Sequence, residues 1–449
     1  MGVSTVTAAR ILRGQLQGHT GEETVLEFEK FPHVGMSKTY SVDKQTSDSA
    51  ATATALMCGE KTKGYTVGIN DNVEFNNCST QPGNELSCIT DWFQDAGRSS
   101  GVVTTTRVTH ATPAAAYAKS PNRNWEGDSA MNNAGVSLEG CKKDIAHQLV
   151  FNSNLKVILG GGRIYFLDNS TLDPEYGNLT TAYHRQDGLN LINKWKKKYK
   201  NERSRYIWKK SQFNSVHPAK TDRLLGLFEA SHMQYELDRS ADLAGEPSLA
   251  EMTTKAINIL KKDKKGFFLL VEGGRIDHAH HANNAIRALY DVLAFEDAVK
   301  RAVQLTNEKE TLIIVTADHS HVFTIAGYPS RGNNILGIMD GPYPVPTDGV
   351  PFTTLSYANG PAYRDGPRDI SNVINSTFIN YQQETTIPID SETHAGEDVS
   401  IYARGPMSHL IHGIHEQNYI AHVMAYAARV GVCTFDKNEV KNRKSDSNT

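Results

Sequence analysis

The sequence has few cysteines, no long apolar run and no marked excess of one charge. Its 449 residues include only five cysteines, which are too few for a disulfide scaffold and lack the paired CxxC spacing of a zinc site. No apolar run approaches the roughly 20 residues that a membrane-spanning helix requires, and residues 1–10 lack the apolar centre of a secretory signal. The 47 basic and 50 acidic residues nearly balance, which argues against nucleic-acid binding. What remains is a globular protein, either intracellular or trimmed at both ends.

Acidic residues and histidines follow one short apolar run. Residues 267–271, FFLLV, stand between a glycine and Glu272, which favours a buried strand over a helix of that length. Directly afterwards come Asp277, His278, His280 and His281. Asp277 and His281 are four residues apart, so a helix would place them on one face, where a carboxylate and an imidazole can share one cation. The spacing predicts a metal site at the carboxyl end of a strand, where open α/β sheets bind their ligands.

Similar polar groups stand directly before or after other apolar runs. Residues 311–316 precede Asp318, His319 and His321, residues 101–108 precede His110 and Thr112, and His394 precedes the apolar stretch VSIYARG. Helical patterns separate these runs, as in residues 251–261 and 284–305. The alternation predicts an α/β fold with a mostly parallel central sheet and helices on both faces.

Ser49 lies where a helix is predicted to begin. In the stretch SDSAATATALMCG, small helix-compatible residues follow Asp48 and Ser49 and end at Gly59. Free N–H groups and the positive end of the helix dipole would favour an alkoxide or a bound phosphate at Ser49. The alternative is a serine that only caps the helix, and the local sequence alone slightly favours it.

Together these groups indicate metal-dependent phosphoryl transfer. Two mixed groups of Asp and His suit zinc, whereas Glu272 and the Thr112 hydroxyl suit magnesium. Two zinc ions about 4 Å apart can stabilise both the entering and the leaving oxygen of an in-line displacement. A serine at a helix N-terminus supplies the nucleophile, and Arg123 in NRNW has a guanidinium that can bind two phosphate oxygens.

The ordered motifs resemble those of one family, the animal alkaline phosphatases of the secreted or membrane-anchored type. The resemblance runs from residue 1 to about residue 430 and rests on MGVSTVTAARIL, DSAATATA, TTTRVTHATPAAAYA, NRNW, VEGGRIDHAHH, TADHSHVF and THAGEDV. It implies hydrolysis of phosphate monoesters through a phosphoserine intermediate, at two zinc ions and one magnesium ion. It also implies a homodimer and a single α/β domain over residues 1–430. An irregular insertion at 327–391 would form a crown on top of the dimer.

The resemblance assigns a role to each candidate residue. It implies Ser49 as the nucleophile and Arg123 as the phosphate clamp. It implies Asp277, His281 and His394 on the first zinc, Asp318 and His319 on the second zinc, and Thr112 and Glu272 on magnesium. It further implies a calcium ion at Glu175, Phe228, Glu229 and Glu246. His110, His278 and His321 would lie behind the ligands and orient them or metal-bound water.

The resemblance also implies an extracellular or cell-surface protein. Cys78 and Cys141 match a family disulfide, which indicates an oxidising compartment, and Cys433 is expected to be unpaired. Glycosylation sequons begin at Asn77, Asn169, Asn178 and Asn375. A glycolipid (GPI) anchor is expected on the full-length protein, although its signal is not present after residue 449. The charged tail, residues 431–449, is predicted to be disordered.

The chain departs from the family pattern immediately before its first residue. In the family an Asp-Gly pair precedes MGVSTVT, and that Asp bridges the second zinc and the magnesium. We expect the natural precursor to continue upstream with a strand and this Asp, and we expect much reduced activity without it. Two alternatives stay open. One is a sister metallohydrolase acting on phosphodiesters or sulfate esters, and the other is a metal-loaded surface receptor without turnover.

Overall fold

The structure is a computed structural model, and it describes residues 1–177, 185–341, 346–369, 371 and 373–433. The strands are β1 (His33–Lys38), β2 (Ser99–Arg107), β3 (Val157–Gly161), β4 (Ser204–Ile207), β5 (Arg223–Leu227), β6 (Phe267–Glu272), β7 (Ile313–Val315), β8 (Ser320–His321), β9 (Phe323–Ile325), β10 (Leu355–Gly360), β11 (Thr385–Pro388), β12 (His394–Ala395), β13 (Val399–Arg404) and β14 (Gly413–Glu416). The helices are α1 (Val3–Leu16), α2 (Ser49–Cys58), α3 (Ile89–Asp95), α4 (Ala111–Ala115), α5 (Asp128–Asn132), α6 (Ile145–Phe151), α7 (Leu191–Lys198), α8 (Lys210–Ser215), α9 (Leu249–Leu260), α10 (Arg275–His281), α11 (Ala285–Leu305) and α12 (Tyr419–Ala428).

Five parallel strands form the largest sheet. Their order is β4-β5-β3-β2-β6, and every neighbouring pair runs in the same direction. A second sheet has the order β14-β1-β13-β7 and mixes parallel with antiparallel pairs. The predicted α/β class with a mostly parallel sheet is therefore confirmed, with the addition of a mixed sheet.

Helices cover both faces of the parallel sheet. Val102 and Val103 are successive residues of β2, so their side chains point to opposite faces. Val102 packs into one apolar core with Leu56 of α2. Val103 packs into another core with Met252 of α9. The two cores explain why β2 is almost fully buried, and they confirm the predicted helices on both faces.

The strands β6 and β7 are edge strands. β6 ends one sheet and β7 ends the other, and in the described part of the chain no hydrogen-bonded pairing joins them. All residues of β6 are only half-buried, whereas β3 and β5 are buried along their whole length. The apolar sequence of β6 predicts a buried strand, so its partial exposure follows from a missing neighbour and not from its composition.

Two disulfides join loops near α2. Cys78 pairs with Cys141, as the resemblance implies, and Cys433 is unpaired. A second bridge, between Cys58 and Cys88, was not predicted. It ties the last residue of α2 to the residue that precedes α3.

The insertion at 327–391 contains regular structure. Within it, β10 and β11 pair with each other, and β10 also pairs with β9, so part of the segment predicted to be irregular is a small sheet. Of the predicted disordered tail, residues 434–449 lie outside the described residues. Among the described helices, none combines the length and the apolarity needed to cross a bilayer.

Candidate active site

Ser49 is the first residue of α2 and lies beside a histidine of the predicted metal site. Asp48 precedes the helix, and its carboxylate accepts hydrogen bonds from the N–H groups of Ala50 and Ala51 at 3.1 and 3.4 Å. The capping role belongs to Asp48, so the alternative in which Ser49 only caps the helix is wrong. The buried Ser49 hydroxyl lies 3.0 Å from His319 Nε2.

Six acids and histidines meet beyond the carboxyl ends of β6 and β7. This nitrogen-rich cluster consists of Asp277, His281, Asp318, His319, His321 and His394. Asp277 Oδ1 lies 2.9 Å from His321 Nε2 and 3.4 Å from His394 Nε2, and Asp277 Oδ2 lies 3.4 Å from His281 Nε2. The structure thus brings together all three residues predicted for the first zinc.

The pair predicted for the second zinc belongs to the same cluster. His319 Nε2 lies 3.2 Å from Asp318 Oδ2 and 3.9 Å from Asp277 Oδ1. The rings of His319 and His394 stack with their centroids 3.4 Å apart. Because β12 pairs with β8, His394 is brought opposite His321 from a distant part of the chain.

The donor atoms of the nitrogen-rich cluster fit divalent metal ions. Asp277 Oδ1 and His321 Nε2 are buried, and although they lie 2.9 Å apart, they lack the geometry of a hydrogen bond. Burial lowers the pKa of His319 to about 4 and that of His321 well below its usual value, so both rings keep a lone pair. Burial alone would raise the pKa of Asp277, but the neighbouring imidazoles, first that of His281, hold it well below its usual value. Neutral imidazoles beside a carboxylate are the ligands that zinc prefers.

The second ring nitrogens of the histidines are held by hydrogen bonds. His281 Nδ1 donates to the Glu392 carbonyl at 2.5 Å, and His394 Nδ1 donates to the Ser47 carbonyl at 2.8 Å. His321 Nδ1 lies 2.7 Å from the buried Glu392 carboxylate. These contacts fix the ring orientations, as expected around a metal. Glu392 was missed in the sequence, where its one signal is that it stands two residues before His394.

Arg123 lies between α2 and His110. Its Nη1 donates to Asp48 Oδ2 at 2.9 Å, and its Nη2 lies 3.2 Å from His110 Nε2. Since Asp48 directly precedes Ser49, the guanidinium is held next to the candidate nucleophile. This is the position that the predicted phosphate clamp requires.

Glu272 and Thr112, the residues predicted to bind magnesium, are also in contact. The Glu272 carboxylate accepts hydrogen bonds from the Thr112 hydroxyl and, at 2.5 Å, from Thr104 Oγ1. Burial, with a further contribution from the Asp318 carboxylate, raises the pKa of Glu272 to about 7. A buried carboxylate with hydroxyl neighbours offers the oxygen ligands that a hard cation prefers.

His110 and His278 lie together beside a third histidine that the sequence analysis missed. Their ring centroids are 5.3 Å apart, and the ring of His232 lies 5.1 Å from that of His110 and 4.2 Å from that of His278. His232 comes from the loop after β5, and no motif in the sequence marks it. His321, predicted to lie behind the ligands, belongs to the same candidate group as Asp277, His319 and His394.

A comparison with known protein families identifies the family of this chain. The family model for alkaline phosphatase matches residues 1–430. The chain belongs to the alkaline phosphatase family. It is 50% identical to the tissue-nonspecific alkaline phosphatases of Rattus norvegicus and Homo sapiens over 436 residues, which are 96% of this chain and 82% of each relative. It is 46% identical to an alkaline phosphatase of Gadus morhua over 435 residues, which are 96% of this chain and 90% of the relative.

Solved bacterial alkaline phosphatases share the fold. The enzyme from the Antarctic bacterium TAB5 matches with a TM-score of 0.65 and 23% identity, over 95% of both chains. That from Thermus thermophilus matches with a TM-score of 0.66 and 23% identity, over 95% of this chain and 89% of the other. The predicted family, the hydrolase class and the phosphate monoester substrates are thereby confirmed by the family match and the animal relatives. Membership of the family also implies divalent metal ions.

This alkaline phosphatase has a second group of side chains that could hold a metal ion, and this group is built from carboxylates alone. The oxygen-only cluster consists of Glu175, Glu229, Asp242 and Glu246. One oxygen each of Glu175, Glu229 and Asp242 lies within 4.8 Å of the others. Glu246 Oε1 is buried without a hydrogen-bond partner in the described structure, and burial raises the pKa of Glu246 to about 8. Asp242 was not predicted, whereas Glu175, Glu229 and Glu246 were.

The oxygen-only cluster is partly neutralised by neighbouring donors. Arg163 is fully buried and lies 2.8 Å from Glu175 Oε2. The Tyr176 hydroxyl donates to the Glu229 carboxylate at 2.8 Å. Phe228, the remaining predicted calcium ligand, directly precedes Glu229 and is fully buried. The cluster therefore brings Glu175, Glu229 and Glu246 of the calcium prediction together, and one guanidinium competes with a cation there.

Three of the four predicted sequons of this alkaline phosphatase are exposed. These are Asn77, Asn169 and Asn375, whereas Asn178 lies outside the described residues. The Asn77 side chain accepts a hydrogen bond from the Ser79 hydroxyl at 2.7 Å, which orients the amide at the protein surface.

Proposed function

We propose that the chain hydrolyses phosphate monoesters through a phosphoserine on Ser49, at a site for two zinc ions and one magnesium ion. The main support is the distance of 3.0 Å between Ser49 Oγ and His319 Nε2, because it shows that a serine at a helix N-terminus contacts the nitrogen-rich cluster. Asp277, His281 and His394 would hold the first zinc, Asp318 and His319 the second, and Thr112 and Glu272 the magnesium. When bound, the zinc ions supply Lewis-acid chemistry that activates hydroxyl groups and stabilises negative charge on oxygen.

The chain's own residues support two successive displacements. First, Ser49 Oγ attacks phosphorus, the bond to the ester oxygen breaks, and the alcohol leaves with a proton. Then water attacks the same phosphorus, the bond to Oγ breaks, and inorganic phosphate leaves. In both steps the Ser49 N–H, at the start of α2, and the Arg123 guanidinium would bind non-bridging oxygens. Asp48 keeps Arg123 in place through its contact of 2.9 Å.

Replacing the nucleophile tests the proposal directly. Ser49→Ala is expected to abolish phosphoenzyme formation in acid-quench labelling and to lower turnover by about a thousandfold or more. Circular dichroism should show an unchanged fold. Ser153→Ala is the matched control, because the hydroxyl of this buried serine donates to the Leu149 carbonyl of the preceding helix α6 and has no part in the proposed site. Full turnover by Ser49→Ala would refute the assignment.

Replacing the clamp tests phosphate binding. Arg123→Ala is expected to weaken inhibition by inorganic phosphate roughly 10-fold to 100-fold, since a hydrogen bond to a charged group is lost. Arg203→Ala removes a surface arginine, paired with Asp222 at 2.7 Å, and should change nothing. Unchanged phosphate affinity in Arg123→Ala would exclude the clamp role.

The second zinc set has fewer predicted ligands than the first. We infer that an Asp-Gly pair placed before Met1, at the end of an additional strand, completes the second zinc and magnesium sites. The Met1 amino group lies 2.8 Å from the His319 carbonyl, so added residues would begin beside this set. The unpaired edges of β6 and β7 support a strand at that position.

An extended chain tests this inference. With zinc and magnesium added, a version carrying the upstream strand and Asp-Gly should hydrolyse a chromogenic phosphate monoester far faster than the present chain. An extension with Asn in place of Asp is the control. Equal rates for the Asp and Asn extensions would exclude the role of the carboxylate. Inert enzymes in all three cases would favour the receptor alternative.

We further propose calcium at the oxygen-only cluster and a homodimer through the insertion at 327–391, which interrupts a single domain over residues 1–430. All-oxygen donor sets suit calcium.

The dimer proposal rests on exposed apolar side chains. Tyr328, Ile374 and Phe378 expose apolar surface in the insertion, as contact surfaces often do. Calcium titration by calorimetry and the mass in solution by light scattering test these two proposals separately.

We also propose an extracellular or cell-surface location, with a GPI anchor on the full-length protein. Two disulfides support an oxidising compartment, and the exposed sequons agree with it. Expression in a secretory host, followed by treatment with a glycosidase, should shift the mass of the chain. An unchanged mass would exclude glycosylation at the exposed sites.

A further inference from the structure

Two exposed aromatic side chains lie close to the phosphate clamp. Tyr65 and Phe75 are 44% and 43% exposed, and their ring centroids are 5.7 Å apart. They belong to two loops between α2 and α3. Rings that keep nearly half of their surface in water contribute little to a core, but they offer an apolar face to a ligand.

The backbone around this aromatic pair is strained. Tyr65 has a φ angle of +67°, which a bulky side chain rarely adopts. Asn76, next to Phe75, has a φ angle of +60°. Only five non-glycine residues of the described chain have a positive φ angle. Two of them belong to this region: Tyr65 itself, and Asn76 next to Phe75. Strained residues persist where neighbouring bonds over-determine them, and they concentrate at ligand sites.

The loop of Tyr65 is bonded to the clamp and to the residue before the nucleophile. The Tyr65 N–H donates to Asp48 Oδ1 at 2.7 Å, and the Tyr65 carbonyl accepts from the Arg123 N–H at 2.9 Å. Asp48 also accepts from the Arg123 side chain. The strained backbone of Tyr65 is thus part of the same hydrogen-bond network as the phosphate clamp.

The loop of Phe75 is attached to the same segment. The Asn76 N–H donates to the Pro121 carbonyl at 3.2 Å, and Asn76 Oδ1 accepts from Asn122 Nδ2 at 2.6 Å. An ion pair of 2.5 Å between Lys63 and Glu74 joins the two loops directly. Residues 121–123 are therefore bonded to the backbone of Tyr65 and to Asn76, which follows Phe75.

We propose that Tyr65 and Phe75 form an aromatic platform that binds a flat aromatic leaving group of the phosphate monoester. This proposal rests on the phosphate clamp of the proposed function. With the phosphate held by Arg123 and the start of α2, the ester oxygen directs the leaving group away from the clamp. An aryl or heteroaryl group there can stack on an exposed ring, whereas an alkyl or polyol group has no such face. The platform makes aromatic phosphate monoesters the preferred substrate class.

Two phosphonates measure the platform without relying on turnover. Calorimetric titration of the zinc- and magnesium-loaded full chain uses phenylphosphonate as the aromatic probe and methylphosphonate as the alkyl probe. Tyr65→Gly and Phe75→Ala are each expected to weaken phenylphosphonate binding about threefold to tenfold and to leave methylphosphonate binding unchanged. Tyr65→Phe, which keeps the ring, should bind both probes as the parent does.

The controls separate the platform from folding and from the clamp. Tyr65→Gly suits the positive φ angle, and Phe75→Leu replaces Phe75→Ala if the latter fails to fold, because it keeps apolar volume without an aromatic face. Tyr426→Ala is the control, because it removes an aromatic side chain of α12 that is 44% exposed and has no part in the platform. An unchanged ratio of the two affinities in Tyr65→Gly and Phe75→Leu overturns the platform alone. Failure of the parent to bind either phosphonate overturns the clamp, and the platform with it.

Discussion

The nitrogen-rich cluster and the oxygen-only cluster lie beyond the carboxyl ends of strands in this fold, yet they are built from different atoms. The first combines four imidazoles with two carboxylates around Asp277, and the second has four carboxylates around Glu229. Imidazoles and few carboxylates suit zinc, whereas carboxylates alone suit calcium. Similar positions at strand ends therefore do not determine which metal ion a site prefers, because that preference depends on the donor atoms.

The surroundings of the two clusters differ as well. Beside the nitrogen-rich cluster, the Ser49 hydroxyl lies 3.0 Å from His319, and the Arg123 guanidinium contacts Asp48 and His110. At the oxygen-only cluster, Arg163 is buried and committed to Asp173 and Glu175, and Tyr176 is committed to Glu229. We propose a catalytic role for the first set of neighbours only, because the second set is bonded to carboxylates of its own cluster and to Asp173. Changes in the two clusters should consequently have separate effects.

The largest effect is expected in the nitrogen-rich cluster. Asp277→Asn removes a charge that both predicted zinc sets approach, so we expect zinc content to fall and turnover to decrease by at least about a hundredfold. Elemental analysis and a phosphate ester assay measure the two quantities. Asp297→Asn, at an acid whose side chain is 55% exposed and paired with Arg13, is the control. Normal zinc content in Asp277→Asn would remove Asp277 from the ligand set.

A change in the oxygen-only cluster should affect stability and not turnover. Calcium at 100 times its dissociation constant would add about 2.7 kcal/mol to the free energy of unfolding of the parent. Glu229→Gln should abolish this gain in thermal unfolding and keep turnover at low temperature. Glu308→Gln, at an exposed acid paired with Arg404, should retain the calcium response. A calcium response in Glu229→Gln equal to that of the parent would contradict the comparison.

Without calcium, the oxygen-only cluster should make stability depend on pH. Burial raises the pKa of Glu175 to about 7 and that of Glu246 to about 8, from 4.5. Across this window the folded chain keeps protons that the unfolded chain has released, so the free energy of unfolding should fall as pH rises from about 4.5 to about 8. Each unit of pKa difference corresponds to about 1.4 kcal/mol.

Urea unfolding with a calcium chelator at several pH values measures this slope. Glu246→Gln removes the larger of the two pKa shifts and should flatten the curve, and added calcium should flatten it in the parent. A stability that rises over the same window would show that these acids are ionised at no cost in the folded chain.

The smallest effect concerns a single hydroxyl. Tyr176→Phe removes the donor that lies 2.9 and 2.8 Å from the two Glu229 oxygens. The free energy of unfolding of the calcium-free chain should fall by about 1 to 2 kcal/mol, and turnover should not change. Urea titrations of Tyr176→Phe and of Glu229→Gln, alone and combined, separate this bond from other effects of either change. Additive losses would mean that the hydroxyl and the carboxylate do not interact.

The sequence was sufficient to predict the candidate site residues that stand at the ends of apolar runs. Glu272 ends β6, Asp277 follows it, and Asp318 and His319 follow β7, so the strand ends were enough to predict that these residues lie near one another. Ser49 was found at a predicted helix start, although only the structure shows that Asp48 makes the cap. These signals are local, and a periodic pattern or a turn residue marks each of them.

The residues that were missed depend on contacts between distant loops. Glu392 reaches His321 across 71 residues, and His232 reaches His110 from the loop after β5. Cys58 and Cys88 pair because α2 and α3 pack together, which cysteine spacing does not reveal. Likewise, the composition of β6 predicts a buried strand, but burial depends on the neighbour that stands beside it. No window of sequence contains that information.

The open edges of β6 and β7 have a consequence for handling the protein. Their unpaired N–H and C=O groups, together with half-exposed side chains such as Phe267 and Phe268, form a template onto which foreign extended segments can add. We therefore expect concentrated solutions of this chain to aggregate through strand addition. A short apolar peptide in excess should pair with these edges and keep the solution clear.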